Sequence, residues 1–298
     1  MKFSLTNEFK DRLREEILNY NIDFIQKSFE GVSYVDITEL LYEFDSNDSK
    51  YILDNIDFDI SAKIISELDE DNRKNFLKIF SAEEVAKFLN VIDSDDGADI
   101  LSELDVEFRG DVISQIEDSE KSKNLKELLR YDEDVAGGLM AIELVKCNIN
   151  WKINQCIDLI KKQAENVSNI YSVYVTDNKG KLLGKVSLKD IILAKDNSRI
   201  KDVYDDYVIS VDAKMNQEEV SQIMQKYDLT VLPVVNKRGK LLGRITIDDV
   251  VDVITETAEE ERQIMSGITS DVEEDDSIWK LSNARLPWLV IGLSLIHI

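Results

Sequence analysis

The chain has 298 residues with 60 acids against 36 bases, for a formal net charge of −24. That length holds two domains with cores of their own. The charge argues against a nucleic-acid or anionic-lipid surface on the soluble part, because phosphate binding draws on Lys and Arg.

The charge is also unevenly placed. Up to Asp134 there are 35 acids and 16 bases; from Val135 to Ile245, 13 and 17; from Thr246 to Ile278, 12 and one. Two acidic blocks flank a mildly basic module, an arrangement that repels itself unless cations lie between the blocks or the domains sit apart. The N-terminal stretch MKFSLTNEFK has no apolar core of a secretion signal. Cys147 and Cys156 lie far from any C-x-x-C spacing and read as reduced core residues.

From Ile64 onward apolar residues recur as triplets: Ile64-Ile65-Leu68, Phe76-Leu77-Phe80, Phe88-Leu89-Ile92, Ile100-Leu101-Leu104 and Val112-Ile113-Ile116. Each triplet is the previous one shifted by the same constant step, a dozen positions along the chain. The i, i+1, i+4 spacing marks one helix face. Asp69, Ser81, Asp93 and Asp105 stand where helices start, and Ser81-x-x-Glu84 forms a capping box. Helices this short bury their faces only by stacking, so residues 1–130 read as an acidic α-solenoid.

The next part alternates. LVKCNI reads as a strand and INQCIDLIKKQA as a helix with Ile153, Ile157 and Ile160 on one face. IYSVYVTD and LLGKVSL read as strands joined at Asn178-Lys179-Gly180, and KDIILA opens another helix. The order returns as YVISVD, NQEEVSQIMQKYD, TVLPVV, LLGRITI and DDVVDVITETAEEE. Gly180, Gly184 and Asp190 recur as Gly239, Gly243 and Asp249 at one constant offset. Pro233 inside TVLPVV predicts an edge strand. At the C-terminus, the uncharged run LPWLVIGLSLIHI follows Lys280 and Arg285, with Trp279 and Trp288 at its start. This reads as the cytosolic entry of a membrane helix, cut short of the ~20 residues a span requires.

Catalysis finds little support. The only histidine is His297, and no Cys/His metal cluster, nucleophile with a base, or phosphate-binding glycine loop is present. No enzyme is expected.

The β-α-β-β-α repeat resembles a tandem pair of CBS (cystathionine-β-synthase-type) domains. The whole order, with Ala136-Gly137-Gly138-Leu139-Met140, Tyr227 to Val235, Thr246-Ile247-Asp248-Asp249-Val250 and Arg285-Leu286-Pro287-Trp288-Leu289, resembles the cytosolic region of the MgtE family of magnesium channels and transporters. The resemblance implies a right-handed superhelical α-solenoid over 1–130, followed by CBS domains at 131–200 and 201–262. It further implies a connecting plug helix at 263–285 and the start of a transmembrane helix at 286–298. It also implies a homodimer through the CBS domains, at the cytoplasmic side of a membrane, beneath a pore domain of the same protein that lies beyond this chain. Mg²⁺ would bridge the acidic surfaces and close the pore.

Residue by residue, the resemblance carries Mg²⁺ ligation onto Asp95 and Asp99, onto Asp249 and Asp252, onto Glu218 and Asp228, and onto Glu260 and Glu261 at the plug. It puts Lys63 where the family can have an acid, a built-in cation in place of one site. It carries ATP onto Asp190 at the ribose and onto Leu229 and Pro233 beside the base, with Ser172 and Leu229 where an aromatic platform would aid stacking. Two other readings stay open: a CBS-type adenine-nucleotide sensor, and a helical-repeat scaffold for a protein partner.

Overall fold

The computed structural model describes residues 6–163, 172–195 and 197–265, together with Trp279, Ser282, Leu286 and Pro287. Two compact units emerge. One holds the described residues up to Glu133, Met140–Lys146 and those from Gln155 to Gln163. The other holds Asp134–Leu139, Cys147–Asn154 and the described residues from Ser172 onward.

The first unit is a stack of short helices: α1 (Asn7–Leu18), α2 (Ile22–Phe29), α3 (Tyr34–Leu41), α4 (Ser46–Asn55), α5 (Phe58–Glu67), α6 (Glu70–Leu77), α7 (Ala82–Val91), α8 (Ser94–Glu103), α9 (Val106–Gln115) and α10 (Ser119–Leu128). From α2 to α9 the helix starts keep the same constant step as the triplets, running Ile22, Tyr34, Ser46, Phe58, Glu70, Ala82, Ser94, Val106. The repeat therefore begins well before Ile64. Leu40-Leu41-Phe44 and Ile52-Leu53-Ile56 obey the triplet rule, with the first two of each buried. Caps set the phase: Asn21, Asp45, Asp57, Asp69 and Ser81 each accept from an N–H of the helix they precede. The capping box is present, Ser81 N–H donating to Glu84 at 2.7 Å. Helices pack on their next-but-one neighbours, α3 on α5, α5 on α7, α7 on α9, and α6 and α10 on α8. The triplets line the core this creates, with Ile64, Leu77, Leu89, Ile100 and Leu101 all inaccessible to solvent.

The second half contributes β1 (Val145–Asn148), α11 (Ile153–Gln163), β2 (Val173–Thr176), β3 (Leu182–Val186) and α12 (Leu188–Leu193). It then repeats the order as β4 (Val211–Asp212), α13 (Gln217–Tyr227), β5 (Val231–Val235), β6 (Leu241–Thr246) and α14 (Ile247–Met265). Two three-stranded sheets result, ordered β1-β2-β3 and β4-β5-β6. Both hairpins are antiparallel and both turns place a glycine at positive φ, Gly180 at 79° and Gly239 at 74°. The echo in the sequence is explained where the two turns meet. Leu182 N–H donates to Gly239 O at 2.9 Å, and its counterpart Leu241 N–H donates to Gly180 O at 3.0 Å. The copies are two halves of one pseudo-symmetric module. Cys147 and Cys156 are both buried in core positions.

One expectation is corrected. Pro233 does not mark an edge strand, since β5 is the central strand of its sheet. The proline is tolerated because β4 is only two residues long and begins opposite Val234, one residue past Pro233, so no β4 residue pairs with the proline.

Candidate metal-binding site

Helix α8 concentrates the acid of the first unit. Asp95 and Asp96 occupy its first turn, where the helix dipole favours negative charge. Asp99 lies one turn on, and Glu103 ends the helix. Glu103 is buried in an ion pair with Arg73, whose Nε lies 3.1 and 3.0 Å from its two oxygens and whose Nη2 also donates to it. Arg73 Nη1 caps the Ser66 carbonyl at 2.7 Å.

Asp99 is exposed by surface area, but its carboxyl is crowded by protein atoms and by like charge. Removal from bulk water is the larger effect and Asp96 the next; Glu133 and Glu103 add to them. Together they outweigh the attraction of Arg73 and raise the Asp99 pKa to about 7. The cluster thus carries more negative charge than Arg73 neutralises. Beside the predicted pair Asp95 and Asp99, the acids that raise the Asp99 pKa include Asp96, Glu103 and Glu133. Asp96 and Glu103 were legible, at i−3 and i+4 from Asp99 on one helical face. Glu133 was not, since it follows the end of α10 and shares no element with Asp99.

In the second unit Asp249 sits in the first turn of α14 and accepts from Thr246 twice, from N–H at 2.8 Å and from the hydroxyl at 2.7 Å. Burial raises its pKa despite these bonds and the Arg244 charge, with Asp248 adding to the rise. The pKa of exposed Asp252 is raised as well, by crowding first and by Asp248 second. The other repeat carries the same device, with Ser187 donating to Asp190 at 2.6 Å and Asp190 N–H returning to Ser187 Oγ at 3.0 Å.

The remaining predicted ligands are scattered. Glu218 is in the first turn of α13, while Asp228 is its C-cap in the left-handed region at φ 52°. At 1.5 Å per residue they stand about 15 Å apart and cannot share an ion. Leu229 is half-buried, and Pro233 is buried in β5. Ser172 is half-buried just before β2. Glu260 and Glu261 fall within α14, but their side chains lie outside the described residues, as do most of the predicted plug and membrane segments. Lys63 is exposed on α5 with its ammonium 5.8 Å from the Tyr34 ring. The cation beside Asp99 is Arg73. Among the described residues no three His, Cys, Asp or Glu side chains converge to hold a metal on their own. Among the described residues no helix is long and apolar enough to cross a membrane.

Comparison with known proteins agrees with this architecture. The MgtE intracellular N domain matches residues 32–134, and the CBS domain matches 134–197 and 200–256. The magnesium transporter MgtE of Enterococcus faecalis is 37% identical over 178 residues, 59% of this chain and 39% of that protein. The chain spans about two-fifths of the length of the curated relatives it matches. A crystal structure of the soluble part of a magnesium transporter superposes with a TM-score of 0.75 at 29% identity, covering 84% of this chain and 98% of that one. A crystal structure of the cytosolic domain of the Mg²⁺ channel MgtE in complex with ATP does so with a TM-score of 0.76 at 29% identity, covering 82% and 99%. Shorter matches to inosine-5'-monophosphate dehydrogenases run through CBS domains alone and bring no enzyme chemistry with them. With an MgtE N domain that carries the carboxylate-rich helix α8, followed by a CBS pair in the order of those structures, the chain belongs to the MgtE family and corresponds to its cytosolic region.

Proposed function

We propose that this chain is the Mg²⁺-sensing region of a membrane magnesium transporter or channel, placed on the cytoplasmic side, with the pore domain elsewhere in the same protein. The observation that carries the reading is the excess negative charge about Asp99, which Arg73 only partly offsets. Asp95 and Asp99 on α8, Asp249 and Asp252 on α14, Glu218 and Asp228 at the two ends of α13, and Glu260 and Glu261 further along α14 would supply the carboxylates. Bound Mg²⁺ supplies compensating positive charge. With repulsion cancelled, the acidic surfaces of the helical domain, CBS pair and connecting helix come together and the pore closes; when repulsion returns, the pore opens. A homodimer fits the exposed apolar side chains of α12 (Leu188, Ile192, Leu193) and α14 (Ile247, Val251, Ile254), which an isolated chain would leave in water. ATP is a second ligand of this reading. It is favoured by the Ser187–Asp190 arrangement, which presents a carboxylate at the start of α12, and by the ATP bound in a related cytosolic domain.

X-ray scattering of this chain tests the proposal. A few millimolar Mg²⁺, a range on the order expected for carboxylate sites that leave the ion largely hydrated, should shrink the radius of gyration more than NaCl at equal ionic strength does. Asp95→Ala with Asp99→Ala removes repulsion and ligands together, so a ligand role raises the Mg²⁺ midpoint while a mere surface role leaves it in place. Equal compaction by Mg²⁺ and matched NaCl would favour the scaffold reading. Calorimetry on the same proteins should show weak ATP binding that Asp190→Ala abolishes; tight ATP binding with no Mg²⁺ response would favour a nucleotide sensor.

A further inference from the structure

The corner between α7 and α8 is held by a residue from beyond the last helix of the stack. Asp93 precedes α8 but its side chain does not cap it. The cap comes from Glu143, which lies beyond the last helix of the stack. Glu143 Oε2 accepts from the Ser94 hydroxyl at 2.6 Å and from Ser94 N–H at 3.2 Å, and Ser94 Oγ in turn accepts from Ile142 N–H at 2.9 Å. The second carboxylate oxygen of Glu143 pairs with Lys121 of α10 at 3.0 Å. Lys121 also donates to the Ile92 carbonyl at the end of α7. A single ion pair therefore satisfies the last carbonyl of one helix and the first N–H of the next. Ser94 is 0% exposed, and the Lys121 and Glu143 side chains are 11% and 17% exposed. Burial raises the Glu143 pKa, but Lys121 and Ser94 lower it by more, so the group is held charged.

We infer that Glu143 is a positioning residue for the α8 carboxylates. It grips the first turn of α8 at Ser94, immediately before Asp95 and little more than a turn before Asp99, and it does so from the segment that leads directly into β1. The inference rests on the reading of α8 as the cation-sensing helix. A sensor must pass a shift of its acidic helix to the module it controls. A free linker would absorb that shift, whereas a buried, charge-assisted clamp carries it into the first strand of the CBS pair. Lys121 is the complement that lets a carboxylate approach a helix turn already rich in Asp.

The test measures the Mg²⁺ midpoint of protection against trypsin on this chain, alongside the melting temperature without divalent ions. Glu143→Gln keeps an acceptor for Ser94 but loses the attraction to Lys121, and Ser94→Ala removes the hydroxyl bridge without changing charge. Both should raise the midpoint by roughly 2- to 30-fold, the range for coupling residues. Glu83→Gln, which breaks an exposed pair with Lys87 in the same unit, should leave it alone. Midpoints unchanged in both clamp variants, with only melting temperatures lowered, would make Glu143 a structural cap and overturn the inference. Should Glu143→Gln fail to fold by circular dichroism, Ser94→Ala decides. Asp95→Ala with Asp99→Ala is run in parallel. If it leaves the midpoint unmoved, the sensing role of α8 falls and the clamp inference with it. If it moves the midpoint and the clamp variants do not, only the clamp inference falls.

Discussion

At the scale of single residues, Asp99 has a fold-imposed cost whose sign can be worked out. Its pKa is raised from an ordinary 3.8 to about 7, burial first and Asp96 second. An acid with a raised folded pKa costs nothing below pH 3.8. The cost grows as pH climbs toward about 7 and stays constant above it. Asp99→Asn should therefore stabilise the divalent-free chain, and by more at pH 8 than at pH 5. Because the residue is exposed the gain is discounted, to a rise of roughly 2 °C in melting temperature at pH 8. Calorimetric melts at the two pH values check it; an equal shift at both would mean the carboxylate is not held at a raised pKa. The same excess charge is what a cation would relieve, so the stabilisation should vanish in saturating Mg²⁺. The expected acidic pair on α8 was legible as helical spacing. Two further neighbours in charge, Arg73 and Glu133, come from α6 and from beyond α10, and no spacing rule connects them to Asp99.

Among elements, the two repeats show how a glycine can be demanded by a neighbour instead of by its own φ. Gly184 lies mid-strand in β3, whose far edge exchanges two hydrogen bonds between Lys185 and Asp205. A Cβ at Gly184 would sit 2.1 Å from the Asp205 carbonyl oxygen and 2.8 Å from the Tyr204 ring. Gly184→Ala must push backbone aside and should cost about 1–3 kcal/mol. Gly110, within α9, has nothing within 4 Å of the same added atom, so Gly110→Ala should stabilise by about 0.5–1 kcal/mol. Urea unfolding of both variants checks the pair of opposite signs, and a neutral Gly184→Ala would show that the Asp205 segment is free to move. The repeat in sequence revealed that Gly184 and Gly243 correspond. Which chain segment approaches Gly184 so closely was decided by the path of the chain after α12.

For the molecule as a whole, charge and exposed apolar surface act in opposite directions. A net charge of −24 keeps copies apart. Ile192 and Leu193, 77% and 71% exposed, are the apolar surface the proposed dimer would cover. The proposed dimer should therefore tighten with salt and with Mg²⁺. Ile192→Glu adds charge to that face and should shift the chain toward monomer in sedimentation at ~50 μM, a concentration suited to micromolar association. A wild-type chain that stays monomeric there, with and without Mg²⁺, would remove the dimer from the proposal.

The sequence by itself determined the two kinds of repeat, because each is set by local physics. The shorter period is a brief helix plus a capped corner, and the longer echo is one strand-helix-hairpin unit written twice. Caps such as Asp69 and the Ser81–Glu84 box, and the turn glycines Gly180 and Gly239, act within a few positions and can be read in place. The tertiary structure decided what depends on distant segments meeting. It seated Pro233 in a central strand, because β4 begins one residue past it. It also put Arg73 against Glu103, and brought Glu143 back from beyond α10 to cap α8. Those contacts are fixed by stacking and chain path, for which neighbouring residues hold no record.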